Sequence, residues 1–156
     1  MDLVRKEFIT GSTSGIAVPL TKIGEIKIGT AATVASSVTI NTIFDTTCSL
    51  PITPGSYFIV VTQNVYNAAG SILNAIVFLR DQSNNVLASF YATVPAGSGQ
   101  VVNVCFMHPQ LITTAITSLK ISASYWQGGG FNTYPDTQDV GNGTTLKSRI
   151  QAQRIA

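Results

Sequence analysis

The sequence predicts an all-β protein, an antiparallel β-sandwich of about eight to ten strands. Three observations lead to this prediction. Apolar residues alternate with polar ones or form short runs rich in Val, Ile, Thr, Tyr and Phe. Gly, Pro, Asn and Ser interrupt these runs roughly every 8–12 residues, which is the spacing of turns between short strands. No segment has a convincing helical pattern, and the β-branched residues of HPQLITTAITSL disfavour a helical turn there.

The chain begins with an irregular segment. EFIT and GEIKIG are predicted to be short strands on either side of the flexible GSTSG. We interpret residues 1–36 as an amino-terminal arm that can reach a neighbouring subunit. SSVTINTIF alternates cleanly between apolar and polar positions and is therefore predicted to be a strand, at the start of the sandwich domain predicted over residues 37–156.

The remaining strands follow one another closely. Pro51 and the TPG that ends at Gly55 are expected to form a turn before the long strand SYFIVVTQNVYN, which is apolar on both faces at first. ILNAIVFLRD and VLASFYATV are predicted to form a hairpin, because Asn84 and Asn85 tolerate the left-handed backbone of its turn. QVVNVCF and the alternating SLKISASYW are further strands, and TLKSRIQAQRI is expected to close the sheet.

The composition favours a subunit of an assembly. Charged residues make up 10% of the chain, against roughly 25% in typical soluble proteins. A surface of neutral polar side chains repels neighbouring copies only weakly, which suits packed particles better than freely diffusing enzymes. The net charge of +2 is small and the basic residues are scattered, so we expect no nucleic-acid partner.

The start of the chain and its apolar runs bear on its location. Charges stand where a secretion signal needs an apolar core, so no signal peptide is predicted. The longest apolar runs, YFIVV and AIVFL, are too short to cross a bilayer. Cys48 and Cys105 each lie in a strand-like segment and are interpreted as small buried side chains, with a disulfide as the alternative.

The sequence predicts no catalytic residues and no cofactor. The single histidine, His108, has no nucleophile motif nearby and is interpreted as a loop or strand-end residue. One candidate metal site is considered: Asp136, Asp139 and Asn142 offer the hard oxygen ligands that calcium prefers. The EF-hand spacing is absent, and a solvated polar loop accounts for the same three residues.

The segment SASYWQGGGFNTYPD gathers aromatic residues around three glycines: Tyr125, Trp126, Phe131 and Tyr134. Three interpretations are open for these rings. They form a platform on which a sugar stacks, or they are buried at a subunit interface, where such residues are enriched. In the third interpretation they belong to the core, and the glycines only give the chain slack.

Three segments together resemble a known fold: FDTTCSLPITPGSYFIVVTQNVYN, AIVFLRDQSNNVLASF and LITTAITSLKISASYW. They are similar to the jelly roll of tumour-necrosis-factor-like domains, complement globular heads and many viral and phage fibre or capsid domains. The resemblance covers residues 37–126 and is one of pattern, without invariant residues. It implies a sandwich of jelly-roll type and a homotrimer with aromatic and aliphatic side chains along the threefold axis. It implies surface loops for partner contacts and carries over no catalytic residues.

These observations lead to two expectations of function. The first is a non-enzymatic virion structural protein, made in the host cytoplasm, that contacts copies of itself and other capsid proteins. A minor capsid, cement or fibre-head component fits this description. The alternative is a carbohydrate- or receptor-binding module that contacts a host receptor or glycan through the aromatic residues at positions 125–134.

Overall fold

The structure, a computed structural model, describes residues 23–33, 35–37, 39–68, 70–133 and 148–156. These residues contain ten strands and no helix, so none of them forms a helix that could span a membrane. The strands are β1 (Ile26–Thr30), β2 (Ala35–Ser37), β3 (Phe44–Ile52), β4 (Gly55–Asn67), β5 (Leu73–Arg80), β6 (Val86–Val94), β7 (Val101–Ile112), β8 (Ile116–Gln127), β9 (Phe131–Thr133) and β10 (Ser148–Arg154). They form two antiparallel sheets, which confirms the predicted all-β sandwich.

The strand order is that of a jelly roll. One sheet contains β1, β10, β4 and β7 in that order, with the short β9 and β2 continuing beside β4, and the other has the order β3-β8-β5-β6. The pairs β1 with β10, β3 with β8, β4 with β7 and β5 with β6 are nested within one another along the chain. The chain is therefore a long antiparallel hairpin rolled into two layers, the connectivity of double-sheet jelly rolls.

Alternation along each strand places the core between the two sheets. In β8, Leu119, Ile121 and Ala123 are fully buried, as predicted for SLKISASYW. Tyr57 and Ile59 of β4, in the other sheet, belong to the same core. Successive side chains of a strand point to opposite faces, so the residues between these positions face outward.

The predicted β5–β6 hairpin is present. Asn84 has φ of 70°, and Oδ1 of Asp81 accepts hydrogen bonds from the backbone N–H groups of Ser83 and Asn85. Gly55, the last residue of the predicted TPG turn, has a positive φ of 153°. The predicted closing strand is β10, which lies between β1 and β4.

Two local predictions are wrong. SSVTINTIF does not form one strand, because Asn41 adopts a φ of 59° in a turn between β2 and β3. Pro51 lies in β3 rather than in a turn. It sits at the register shift between Leu50 and Ile52, where the missing N–H removes no regular ladder bond.

The proposed boundary at residue 36 stays a prediction. EFIT lies outside the described residues, whereas the predicted GEIKIG strand corresponds to β1, at the edge of the larger sheet.

Candidate interaction surfaces

An apolar surface covers the outer side of the sheet formed by β1, β10, β4 and β7. In β4, Tyr57 and Ile59 are buried, while Phe58 between them points outward. The register of the neighbouring strands brings further apolar side chains to the same side. We call this surface the apolar face, and its members are Ile26, Ile28, Phe58, Val60, Met107 and Leu111. Met107 and Leu111 are the most exposed of them, at 72% and 64%.

A groove of ≈220 Å³ runs across the apolar face. Phe58, Val60 and Met107 line it together with two neutral polar residues, Gln151 and Gln153. Because three of these side chains are apolar and none is charged, an apolar side chain that enters the groove gains free energy by leaving water. The groove is therefore suited to contact with protein.

The outer side of the opposite sheet carries a charged cluster instead. Nζ of Lys120 lies 2.8 Å from Oδ2 of Asp45, and the hydroxyl of Ser122 donates to Oδ1 at 2.6 Å. Nη1 of Arg80 lies 3.8 Å from Oδ1 of the same carboxylate. Burial raises the pKa of Asp45, but the hydrogen bonds from Lys120 and Ser122 and the two nearby cations outweigh it and lower this pKa from 3.8. The carboxylate thus stays ionised and joins β3, β8 and β5, a structural role rather than an acid–base one.

An aromatic pair occupies the other end of this outer side. The rings of Tyr91 in β6 and Trp126 in β8 meet edge to face, with centroids 5.6 Å apart and planes at 80°. Trp126 is the extra residue of a bulge, since Asn74 pairs with Gln127 whereas Ala75 pairs with Tyr125. Alternation along β8 turns Trp126 outward beside the buried Tyr125, and the bulge lets the next residue, Gln127, be exposed as well.

A row of polar side chains lies beside the aromatic pair. The hydroxyl of Thr93 donates to Oδ1 of Asn74 at 2.7 Å, and Nδ2 of Asn74 donates to Oε1 of Gln127 at 2.6 Å. This row crosses β6, β5 and β8. We call Tyr91, Trp126, Asn74, Gln127 and Thr93 together the aromatic patch.

The structure separates the aromatic residues that the sequence grouped into one loop. Tyr125 and Phe131 are buried in β8 and β9, and burial raises the pKa of the Tyr125 phenol. Phe131 packs edge to face on Phe44 at 5.3 Å between ring centroids. Trp126 faces solvent, and Tyr134 lies outside the described residues. Tyr125 and Phe131 thus lie in the core, whereas the exposed Trp126 can contact a partner.

No metal site is found in the part of the chain that the structure describes. Asp136, Asp139 and Asn142 lie outside that part, so the calcium site stays a prediction. Within it, no group of three or more His, Cys, Asp or Glu residues could hold a metal ion. His108 lies inside β7 rather than at a strand end, and its Nε2 is 2.8 Å from Oε1 of Gln110.

The two cysteines are not joined by a disulfide, and they lie in different surroundings. Cys48 is buried as predicted, and its Sγ lies 3.3 Å from the carbonyl oxygen of Gly29. The predicted burial of Cys105 is wrong, because alternation in β7 turns it outward while Val104 and Phe106 face the other sheet. The predicted alternative, a disulfide between them, is also wrong.

The sequence analysis did not identify the apolar face or the role of Tyr91. The run YFIVV does indicate the apolar face, since consecutive apolar residues in a strand must place some of their side chains outward. Tyr91 gave no such signal, because its contact with Trp126 depends on strand order.

Comparisons by sequence find no matching protein family and no matching curated protein. Comparison with solved structures finds viral and phage proteins at low similarity. The structure of infectious bursal disease virus, Gt strain, has 15% identity and a TM-score of 0.47, covering 85% of this chain and 38% of that one. The VP2 subviral particle of infectious bursal disease virus has 16% identity and a TM-score of 0.45, with the same coverage of 85% and 38%.

The enzymatically active domain of tailspike protein 4 of bacteriophage CBA120 has 13% identity and a TM-score of 0.24, over 82% of this chain and 18% of that one. This chain spans less than two fifths of the length of the virus proteins above. Similarity at this level assigns neither a function nor partners. The resemblance to tumour-necrosis-factor-like domains and complement heads stays a prediction.

Proposed function

We propose that the chain is a non-enzymatic structural subunit of a virion that acts through contacts with copies of itself. The observation that carries this proposal is the apolar face. Monomeric proteins rarely expose contiguous apolar patches larger than a few hundred Å², and larger ones mark interaction sites. Sparse surface charge supports the same conclusion, because little repulsion opposes the approach of a second copy.

The outer side of the sheet that carries the apolar face is large enough for a stable contact. Its strands β4, β7, β10 and β1 contain 13, 12, 7 and 5 residues. At ~3.3 Å per residue and ~4.8 Å between strands, they present roughly 600 Å² in flat projection. A copy that covers this face buries a similar area of its own, so one contact reaches the ~1,200 Å² at which specific interfaces begin.

A second apolar surface supports a homotrimer. Along the edge between β6 and β7, Phe90 stacks on Phe106 with ring centroids 6.0 Å apart, and Phe90 and Val86 are exposed. This edge adjoins the apolar face along β7. Contacts between two different surfaces of successive copies close into a ring when the rotation allows it. We place β7, with Met107 and Leu111, nearest the threefold axis.

The fold is compatible with the proposal without proving it. Jelly rolls serve both in viral capsids and in lectins, so the fold alone selects neither function. We propose a minor capsid, cement or fibre-head role in the virion, with other particle proteins as further partners.

The test compares assembly of the wild type with that of Phe58→Lys and Met107→Lys. Both positions face solvent in one copy, so a lysine there leaves the subunit folded but places an unpaired charge in the interface. Light scattering over a concentration series is expected to show trimers for the wild type and monomers for both variants. Ile43→Lys is the control, since Ile43 is exposed away from the apolar face and the substitution leaves assembly unchanged.

The thiol of Cys105 gives an independent measurement. It lies on the outer side of β7, so a maleimide is expected to label it in the monomeric variants and slowly in the wild type. Cys48 stays unlabelled in all of them, because it is buried. A wild type that remains monomeric at all concentrations and does not co-purify with virus particles would overturn the proposal.

A further inference from the structure

We infer that the aromatic patch binds a neutral pyranose sugar. The site lies on the outer side of the β3-β8-β5-β6 sheet, opposite the apolar face, and differs from the loop predicted from sequence. It therefore does not depend on whether the chain assembles.

The two rings of the patch offer stacking surfaces. Tyr91 is 66% exposed and Trp126 is 42% exposed, although both are large aromatic side chains. The edge-to-face contact at 80° fixes their planes relative to each other and leaves ring surface open to solvent. The face of an aromatic ring is electron-rich, so it attracts the weakly positive C–H groups on the apolar side of a pyranose.

The polar row supplies hydrogen bonds at fixed positions. An amide carries two N–H donors, and Asn74 uses one of them to bind Gln127. The Oε1 of Gln127 is the acceptor in that bond, which leaves its Nε2 as a donor for a ligand. Because Thr93 and Asn74 hold the row in place, a sugar hydroxyl that binds there costs little side-chain entropy.

The distribution of charge selects a neutral sugar. In the described ranges, Arg80 and Lys120 are the cations on this outer side, and both are paired with Asp45. Arg80 and Asn74 belong to the same strand, six residues apart, which corresponds to ~20 Å. Among the residues that the structure describes, a sialic acid carboxylate or a sulfate at the patch would therefore find no cation to pair with.

The patch fits a sugar better than a protein partner. A protein interface of standard size covers roughly 800 Å² on each side, with an apolar centre. Two rings beside a row of amides offer a smaller and more polar surface, suited to one or two pyranose units.

The test uses an array of neutral glycans that end in galactose, glucose or N-acetylglucosamine, with sialylated and sulfated glycans beside them. The wild type is expected to bind neutral glycans. Trp126 is the only tryptophan of the chain, so quenching of its fluorescence by the best neutral glycan reports on the site directly. Trp126→Ala and Tyr91→Ala are each expected to weaken binding on the array at least ten-fold.

Two further variants separate stacking from other effects. Gln127→Ala keeps both rings and is expected to weaken binding about five-fold, which corresponds to one hydrogen bond of ~1 kcal/mol. Phe58→Lys, on the opposite face, leaves fluorescence quenching by the free glycan unchanged. Failure of the wild type to bind any neutral glycan, binding of charged glycans alone, or equal binding by Trp126→Ala would each overturn the inference.

Discussion

Replacing Phe131 by alanine tests whether the aromatic residues around the glycines belong to the core. Phe131 is 0% exposed and packs on Phe44. Its strand, β9, contains three residues and pairs with both β2 and β4. Removing the ring therefore loosens the contact between these short strands and the main sheet.

The expected loss follows from the burial of the ring. Truncation of a buried phenylalanine to alanine costs ~3–5 kcal/mol. Phe44 is only half-buried and can move toward the cavity, so we expect the lower half of this range, ~3–4 kcal/mol. At roughly 2–4 °C per kcal/mol for a chain of this size, Tm falls by about 6–16 °C. Trp126→Ala removes an exposed ring and its contact with Tyr91, and it costs under ~1.5 kcal/mol.

Urea and thermal unfolding measure the two losses. Circular dichroism is the signal, because the Trp126 variant lacks tryptophan fluorescence. Protein concentration is held constant, since assembly shifts the midpoint. Phe131→Leu is the matched control, because it retains most of the volume and is expected to cost under ~1.5 kcal/mol. If Phe131→Ala lowers the free energy of unfolding no more than Trp126→Ala does, the assignment of Phe131 to the core is refuted.

Three further substitutions test other contacts. A Cβ on Gly29 would overlap the carbonyl oxygen of Ser49 in the other sheet. Gly29→Ala should therefore lower the free energy of unfolding in urea by ~1–3 kcal/mol, and an unchanged value would contradict this close approach. Ser148→Ala removes an acceptor shared by two buried amide groups and should lower the free energy of unfolding by ~1–3 kcal/mol; an unchanged Tm would argue against it. The folded pKa of Asp45 is lowered, so its pairing with Lys120 stabilises the fold above pH 3.8, and this stabilisation is lost as the pH falls through the folded pKa. The wild type should therefore be more stable than Asp45→Asn at pH 6, as measured by urea midpoints, and this difference in stability should shrink at lower pH. A difference that stays constant with pH would show that protonation of this carboxylate is not the source of the stabilisation.

The sequence predicted the sandwich because burial of one sheet face imposes a period of two on each strand. SLKISASYW shows this period directly, and Leu119, Ile121 and Ala123 at its alternate positions belong to the core. Prediction failed where backbone conformation, not burial, decides the structure. Asn41 adopts a left-handed φ inside an alternating segment, and the bulge of β3 admits Pro51. Neither feature changes the pattern of apolar residues.

The candidate sites were harder to predict than the fold, because they form across strands. Tyr91 and Trp126 belong to β6 and β8, which are separated in the sheet by β5. The apolar face combines residues from β1, β4 and β7, the first near the amino-terminal end of the described residues and the last beyond position 100. Strand order and register bring such residues together, and a single sequence contains no direct record of either.

The two outer sides of the sandwich differ in chemistry, and this difference indicates which side the proposed subunit buries in an assembly. One side is apolar around an uncharged groove, whereas the other carries the ion pairs of Asp45 and the aromatic patch. Burying the second side in an assembly would remove water from the half-exposed carboxylate of Asp45 and from the polar row, at a cost in free energy. Burying the first side removes apolar surface from water and is favourable. We therefore expect the proposed assembly to turn the apolar face inward and to leave the aromatic patch on its outer surface, accessible to a glycan.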